Sequence, residues 1–403
     1  MKQFQIPEFY RSSIIARVKA QRKLDDPRKK DFSPTVIDFG RVRLLIARHF
    51  GFCYGVENAI EIAYRALHEN PGKRIYLLSQ MIHNPDVNED LLANGIQFLQ
   101  DTDGNQLIPF DSLNEADIVL IPAFGTTVQI EKILLSKGID VQKYNTTCPF
   151  VEKVWNRSEK LGQTSHTIII HGKYNHEETR ATFSRAIQHG ASLILKDLNE
   201  AKLLAEYIKG NKNAESFHLD FAGKYSDGFD LSKDLTKIGV VNQTTMLATD
   251  TQEITDYLRQ VMIEKYGVDD IKNHIADTRD TLCYATNENQ SATHGLLEEP
   301  ADFGIVVGGY NSSNTTHLVE LMEQYYPVYF VRGASEFTSK NELSHFNIHS
   351  KTLQKTIDYI PSKDSVTIAI TSGASCPDAI MDKVIHRILE IFEIKNNLDQ
   401  IFS

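Results

Sequence analysis

The four cysteines are the residues of this chain best suited to metal or redox chemistry. They stand far apart in a chain of 403 residues, at Cys53, Cys148, Cys283 and Cys376. So few cysteines, without close pairs, exclude a disulfide framework and the usual spacing of zinc ligands. Two interpretations remain: four ordinary buried thiols, or thiols that meet at one site.

Three of the cysteines directly precede a predicted helix: Cys53 in GFCYG, Cys148 in TTCPF and Cys283 in TLCYATNENQ. A helix N-terminus lowers the pKa of a thiol, because the helix dipole favours the thiolate. Thiolates from distant parts of a chain can hold an iron–sulfur cluster. Cys376, in TSGASCPD, could be a fourth ligand. Three ligands would instead leave one iron open to a substrate oxygen, on which it could act as a Lewis acid.

Several turns rich in Ser, Thr, Asn and Gly form a second group of candidate residues. Helix N-termini with such small neutral donors bind phosphate groups. Each turn alone is equally typical of a helix cap, but several at one sheet edge would bind an anion with many oxygens. No dinucleotide-binding or P-loop glycine pattern occurs. The turns are HNPDVNED (83–90), HGKYNHEETRAT (171–182), NQTT (242–245), NSSN (311–314) and TSGAS (371–375).

Titratable side chains occur within these turns. His176 and Glu178 share one turn, and a carboxylic acid there can deliver protons. The neighbouring Glu177 leaves the assignment open, and either glutamate could be a solvated residue at a helix start. His83 could be an ordinary turn histidine, because Asn84-Pro85 is a common signal for the start of a helix.

The elements that must position these residues alternate between short apolar runs and amphipathic helical patterns. This alternation predicts an α/β fold with mostly parallel sheets, whose ligands bind at the carboxyl ends of the strands. The cysteine positions further predict three similar α/β domains. The expected divisions are a basic N-terminal extension at 1–42 and domains at 43–147, 148–282 and 283–403, with a polar surface insertion near 209–236.

Charge and hydropathy exclude several classes of function. The net charge of −10 argues against nucleic acid as the main partner. No apolar run approaches the ~18 residues of a membrane helix, and no secretory signal is evident, so a cytoplasmic protein is expected. Residues 1–30 nevertheless carry nine Lys/Arg against three acids. This arm could be an amphipathic segment packed on the body, a docking surface for an acidic partner, or an organelle transit peptide.

Taken in order, these motifs resemble the LytB/IspH family of 4-hydroxy-3-methylbut-2-enyl diphosphate reductases. The resemblance runs from about residue 43 to residue 392. The basic arm and the 209–236 segment are similar to the longer branch shared by plants and cyanobacteria. The motifs that carry the resemblance are GFCYGVENAI, HNPDVNEDL, TTCPFVEKV, HEETRAT, NQTT, TLCYATNENQ, NSSN and TSGASCPD.

The resemblance implies a trefoil of three α/β domains around one 4Fe-4S cluster with three cysteine ligands and an open fourth iron. It also implies a role for individual residues. Cys53, Cys148 and Cys283 match the cluster ligands, while Cys376 matches none. Glu178 matches the proton-delivering acid, with Thr244 beside it. The residues that match substrate ligands, or lie in the same motif, are His83, His176, Ser312, Ser313, Asn314 and Ser375.

The implied reaction uses two electrons and two protons to remove the allylic hydroxyl of the substrate as water. It would yield isopentenyl and dimethylallyl diphosphate, the last step of the methylerythritol phosphate route to isoprenoids. The expected electron donor is ferredoxin or flavodoxin, for which the basic arm is a candidate docking surface. Two alternatives stay open at this stage: a redox sensor or electron carrier with four cysteine ligands, and a metal-free module that binds diphosphate.

One position departs from the family pattern. Where short bacterial members have a histidine before a glycine, this chain has Phe124-Gly125. One diphosphate donor is therefore absent or replaced by Thr126, by Thr127 or by backbone N–H groups. The sequence assigns no residue to that role.

Overall fold

The computed structural model describes residues 4–28, 30–277 and 281–394. Contacts divide the chain into two compact units. The first unit comprises Met1–Glu57, Ile82–Glu89 and Tyr284–Ser403, and the second comprises Asn58–Met81 and Asp90–Cys283. Within the described ranges, no helix is both long and apolar enough to cross a membrane.

The first unit contains a seven-stranded sheet. Its strands, numbered along the chain, are β1 (Thr35–Asp38), β2 (Val42–Ile46), β9 (Phe303–Val307), β10 (Val328–Val331), β11 (Glu342–Asn347), β12 (Thr352–Ile357) and β13 (Val366–Ser372). They lie in the order β1-β2-β13-β9-β10-β11-β12. The four strands from β2 to β10 run parallel, and β1, β11 and β12 are antiparallel additions at the two sides. The carboxyl ends of β2, β13 and β9 therefore lie side by side.

Helices cover both faces of this sheet. They are α1 (Ser13–Asp25), α11 (Tyr284–Leu297), α12 (Ser313–Met322) and α13 (Asp378–Ile391). Two further helices, α2 (Tyr54–Glu69) and α3 (Pro85–Ala93), begin in this unit and end in the second. Leu44 and Ile46 pack in one core cluster, whereas Leu45 and Ala47 pack in another. Successive residues of a strand point to opposite faces, so burial of both faces explains the uninterrupted apolar run.

The second unit contains two three-stranded sheets, and both are parallel throughout. One has the order β4-β3-β5, with β3 (Ile75–Leu77), β4 (Gln97–Phe98) and β5 (Ile118–Leu120). The other has the order β7-β6-β8, with β6 (Thr167–His171), β7 (Ser192–Leu195) and β8 (Ile238–Asn242). The helices are α4 (Val128–Ser136), α5 (Pro149–Gln163), α6 (Glu177–Ala186), α7 (Leu198–Ile208), α8 (Ala214–Asp220), α9 (Leu231–Asp234) and α10 (Ala248–Tyr266).

The predicted α/β fold with mostly parallel sheets is confirmed. Strand β2 pairs with β13, so residues near the start of the chain share a sheet with residues near 370. The domain boundaries at 43–147, 148–282 and 283–403 stay a prediction.

The segment at 209–236 is more than the polar surface insertion that its composition suggests. Phe217 and Phe221 are fully buried, and Phe229 lies with them in the core cluster of the β7-β6-β8 sheet. Tyr225 packs against the same cluster, so aromatic residues at every fourth position from 217 to 229 line this core. The many Gly, Lys and Asp residues between them conceal this pattern.

The basic N-terminal arm packs on the body of the first unit. Ile14 and Ile15 of α1 belong to the same core cluster as Ile385 and Ile388 of α13. The apolar side of the arm therefore agrees with the first of its three interpretations, an amphipathic segment packed on the body.

Candidate functional site

Glu178 and Thr244 form a buried hydrogen-bonded pair in the second unit. The two parallel strands β6 and β8 are neighbours, and the turns that follow them carry Glu178 and Thr244. The Thr244 backbone N–H donates to Glu178 Oε1 at 2.5 Å, and its hydroxyl donates to Oε2 at 2.9 Å. Only 1% of Glu178 is exposed. Both carboxyl oxygens are thus held in one orientation.

Burial sets the protonation state of Glu178. Loss of hydration disfavours the carboxylate and raises the pKa of Glu178 to about 7, although the two Thr244 hydrogen bonds act in the opposite direction. A carboxyl with this pKa is partly protonated at neutral pH, so it can donate a proton there.

The adjacent Glu177 has a different partner. The Ser79 hydroxyl donates to Glu177 Oε1, and both residues are buried. The two neighbouring glutamates therefore have different hydrogen-bond partners: Glu177 accepts from Ser79, and Glu178 accepts from Thr244. The sequence offered no signal for Ser79, which is 98 residues away.

His176 begins helix α6 as its N-cap. The backbone N–H of Glu178 donates to His176 Nδ1 at 3.2 Å, which leaves the ring proton on Nε2 in the neutral form. The ring of Phe124 meets the ring of His176 edge to face, with 5.7 Å between centroids. Phe124 therefore contacts a predicted substrate ligand at the position where the family pattern changes.

Gln243 organises this turn, and no individual role for it was predicted within the NQTT motif. Its Oε1 accepts from the Lys173 backbone N–H at 3.1 Å and from the Thr179 hydroxyl at 3.0 Å. Its Nε2 donates to the Thr245 hydroxyl at 2.7 Å. One amide thus joins the turn after β6 to the turn after β8.

A second set of predicted residues lies at the N-terminus of α12 in the first unit. Ser312 is the N-cap, and its Oγ accepts from the Thr315 backbone N–H at 3.3 Å. Ser313 and Asn314 are the first two residues of the helix, and all three are at most 5% exposed. This N-terminus follows β9, whose carboxyl end lies beside that of β13.

The turn after β13 packs against the same helix end. The Ala374 backbone N–H donates to Asn314 Oδ1 at 2.9 Å. The Ser375 hydroxyl donates to the His83 carbonyl oxygen at 3.2 Å. A Cβ at Gly309 would lie only 2.3 Å from that carbonyl oxygen, so the close approach requires glycine. The first unit therefore brings together His83, Ser312, Ser313, Asn314 and Ser375.

The amide nitrogen of Asn314 is suited to an anion. Its Oδ1 already accepts from the Ala374 backbone N–H, and Asn289 Nδ2 also donates to it at 3.4 Å. Among the described residues, Asn314 Nδ2 is buried and has no hydrogen-bond partner. A buried donor without a partner is costly, and a phosphate oxygen would satisfy it.

The three predicted cluster ligands share one local setting. Cys53 directly precedes α2, Cys148 is the N-cap of α5, and Cys283 directly precedes α11. Cys53 and Cys148 are half-buried, and Cys283 is buried. Thiols at helix N-termini fit iron as a donor set, since the helix end favours the thiolate.

Cys376 has a different setting from these three. It is fully buried in the core cluster of the first unit, and burial raises the pKa of its thiol far above the ordinary value. A buried neutral thiol is a poor ligand, so the setting disfavours ligation by four cysteines.

The predicted site residues thus fall into two local groups. Glu178, Thr244 and His176 lie together in the second unit, and the five residues around the α12 N-terminus lie together in the first. Over the described ranges, no group of three or more His, Cys, Asp or Glu side chains is placed to hold a metal ion. Cluster ligation by the three cysteines stays a prediction.

The candidates for the donor that Phe124 replaces are also placed. Thr127 is the N-cap of α4, and its hydroxyl accepts from the Ile130 backbone N–H at 3.4 Å. Thr126 is 5% exposed. Thr127 therefore has a capping role. Neither Thr126 nor Thr127 is assigned to the diphosphate.

Comparison with known sequences identifies a family. The sequence model of the family described as "LytB protein" matches residues 44–389. A Gloeobacter violaceus protein named 4-hydroxy-3-methylbut-2-enyl diphosphate reductase is 40% identical over 355 residues, which cover 87% of this chain and 84% of that protein. A Prochlorococcus marinus protein of the same name is 36% identical over 397 residues, which cover 96% and 92%.

Solved structures support the fold. The E-1-hydroxy-2-methyl-but-2-enyl-4-diphosphate reductase from Plasmodium falciparum matches with a TM-score of 0.62 and 23% identity. The match covers 86% of this chain and 87% of that one. The terminal enzyme of the non-mevalonate pathway, described as (E)-4-hydroxy-3-methyl-but-2-enyl diphosphate reductase, matches with a TM-score of 0.52 and 23% identity, covering 86% and 99%. At this identity the likeness is one of fold.

Proposed function

The chain belongs to the LytB family, which confirms the resemblance carried by its motifs, and we propose from this premise how its residues perform the family reaction. The enzyme is an oxidoreductase that converts (E)-4-hydroxy-3-methylbut-2-enyl diphosphate to isopentenyl and dimethylallyl diphosphate. The substrate takes up two electrons and two protons, the allylic C–O bond breaks, and the hydroxyl leaves as water.

The Glu178–Thr244 pair is the observation that carries the proposed mechanism. The leaving hydroxyl must be protonated, and this requires an acid that still holds its proton near neutral pH. Burial raises the pKa of Glu178 to about 7, which meets the requirement. Thr244 holds both carboxyl oxygens, and its hydroxyl is the group that can pass a proton between Glu178 and a bound alcohol. Glu178 is the proposed acid and Thr244 its proposed partner.

The diphosphate end of the substrate is assigned to the α12 N-terminus. Ser312 and Ser313 supply hydroxyls there, and the buried Asn314 Nδ2 supplies an amide donor. Ser375 and His83 complete this group from the two neighbouring turns. Neutral donors at a helix N-terminus bind phosphate without a permanent cation, because the backbone N–H groups and the helix dipole provide positive potential. His176 is proposed as a further substrate ligand, as the family motif implies.

Iron–sulfur dependence is a property of the family, and the finer assignment is proposed. Cys53, Cys148 and Cys283 would hold one 4Fe-4S cluster, leaving its fourth iron open. When bound, the cluster supplies electrons and a Lewis-acidic position for the substrate oxygen. The common helix-start setting of the three thiols supports this ligand set.

The proposed electron donor is ferredoxin or flavodoxin, both small acidic carriers. Arg28 and Lys30, at the end of the basic arm, are exposed and supply charge for such a partner. The enzyme is proposed to act in the cytoplasm, where thiols stay reduced, and all four cysteines are thiols in the structure.

An assay of two glutamate variants tests the assignment of the acid. Glu178→Gln removes the proton donor while preserving the shape of the side chain, so kcat should fall by about 10²–10⁴-fold with KM changed only a few-fold. The measurement is anaerobic turnover of the hydroxymethylbutenyl diphosphate with a reduced viologen as electron source. Glu177→Gln is the matched control, because a glutamine there can still accept from Ser79. Equal turnover of the two variants would remove Glu178 from the mechanism.

A further inference from the structure

The N-terminal arm contacts the turn that carries Cys53 at three places. The ring of Phe4 meets the ring of Tyr54 edge to face, with 4.9 Å between centroids. The ring of Tyr10 meets the ring of Phe52 in the same way at 5.8 Å. Phe52 and Tyr54 are the immediate neighbours of Cys53. The arm therefore touches the residue on each side of this thiol.

The third contact is electrostatic. Lys19 Nζ lies 2.7 Å from Asp378 Oδ1, and it also lies 4.7 Å from the centroid of the Phe50 ring. Gly51 lies beneath this pair with φ +79°, and a Cβ there would be 2.5 Å from Asp378 Oδ1 and 3.0 Å from Lys19 Nζ. The Lys19–Asp378 pair thus closes over the backbone just before Cys53.

The arm residues that make these contacts are themselves firmly held. Phe4 is 6% exposed and Tyr10 is 4% exposed. On its other side the Cys53 turn is bonded to the turn after β13, because the Cys53 backbone N–H donates to the Ala374 carbonyl at 3.2 Å. The Cys53 turn is consequently held between the arm and the β13 turn.

We propose that residues 4–25 of the arm form a clamp that holds the Cys53 turn and limits the access of solvent and small reagents to the Cys53 thiol. Tyr10 and Lys19 are positioning residues in this clamp. The role of the clamp in protecting a cluster ligand rests on the proposed function. Its effect on access to the thiol rests on the contacts alone.

Alkylation of the thiols in the full-length, cluster-free chain tests the clamp. Iodoacetamide modification is followed by peptide mass spectrometry at Cys53, with Cys148 as an internal reference that is also half-buried. Tyr10→Ala should raise the Cys53 rate about tenfold, because the turn opens more often, and leave the Cys148 rate unchanged. Lys19→Met should raise the Cys53 rate about threefold, since a partly exposed ion pair contributes less.

Two matched variants provide controls. Leu24, at the end of α1, is 77% exposed, and Lys23 is an exposed lysine one turn after Lys19. Leu24→Ala and Lys23→Met should leave the Cys53 rate unchanged. The fully buried Cys376 reports unfolding. If Cys376 reacts in Tyr10→Ala, the Cys53 rate is measured instead in the milder variant Tyr10→Leu. An unchanged Cys53 rate in a folded Tyr10 variant overturns the clamp.

The holoenzyme supplies a second measurement. Release of iron to an excess chelator, monitored by the loss of visible absorbance under anaerobic conditions, should be faster in Tyr10→Ala than in Leu24→Ala. Faster alkylation without faster iron release would keep the clamp and contradict the assignment of Cys53 as a cluster ligand. The two results thereby separate failure of the clamp from failure of the proposed function.

Discussion

The two units hold their candidate site residues in opposite electrostatic settings. In the first unit, neutral donors gather at the N-terminus of α12, and the buried Asn314 Nδ2 has no hydrogen-bond partner within the part of the chain that the structure describes. In the second, one carboxyl is buried with both oxygens bonded to Thr244. A helix end can attract an anion without a charged side chain, whereas a carboxyl keeps its proton at neutral pH only if water is removed from it. Anion binding and proton delivery thus require different surroundings.

The largest expected effect concerns the stability cost of the buried acid. The pKa of Glu178 is about 7 in the folded chain and near 4.5 for an ordinary glutamate. Below pH 4.5 the carboxyl is protonated in both states, and the shift has no effect. As pH rises from 4.5 to 7, the unfolded chain loses its proton first, so the folded state is destabilised by up to about 3 kcal/mol.

Glu178→Gln cannot ionise and should not show this pH dependence. The free energy of unfolding of the wild type, relative to the Gln variant, should therefore fall by about 3 kcal/mol between pH 4.5 and pH 8. Urea denaturation at the two pH values measures the difference. A difference that stays constant with pH would mean that the carboxyl is not dehydrated.

A smaller effect is expected at the anion-binding helix end. Asn314→Asp keeps the oxygen that accepts from Ala374 but replaces the amide donor by a carboxylate. Loss of one hydrogen bond to a charged group should raise KM for the diphosphate substrate about 30-fold, with kcat changed less. Steady-state kinetics measures this.

The exposed Asn311 of the same turn provides the control for charge alone. Asn311→Asp introduces the same charge without removing the buried donor, so its KM should rise far less. Equal KM values for the two variants would place the diphosphate away from Asn314 Nδ2.

The smallest effect is expected at Phe124, whose ring contacts the ring of His176. Phe124→Leu keeps an apolar side chain but removes the edge-to-face contact with His176. An aromatic pair of this kind contributes about 1 kcal/mol, so KM should rise about 5-fold. A KM unchanged from wild type would show that the Phe124 ring does not position His176.

The sequence predicts the chemistry of the site better than its internal contacts. The HEE turn identified the two candidate glutamates, but their separation depends on Ser79 and Thr244, which are distant in sequence. Apolar alternation predicted the α/β class because it reflects local burial. It could not predict that β13 lies between β2 and β9, because strand order depends on long-range pairing.

Segments of mixed composition were the hardest to interpret. The charges of the arm left three interpretations open, and they did not show that its contacts with the Cys53 turn depend on Phe4 and Tyr10. The 209–236 segment hid buried phenylalanines among polar residues. In both cases a few apolar side chains determine the packing, and the average composition gives them little weight.

The position of β13 also has a consequence for the order of folding during synthesis. Among the described strands, β13 comes last in the sequence, yet it lies third in the seven-stranded sheet and joins β2 to β9. Most of residues 58–283 form the second unit and can collapse first, while β2, already paired with β1, must wait for about 320 further residues before β13 exists. The early β1–β2 hairpin therefore keeps an open β2 edge, which can pair with other chains, until β13 is made.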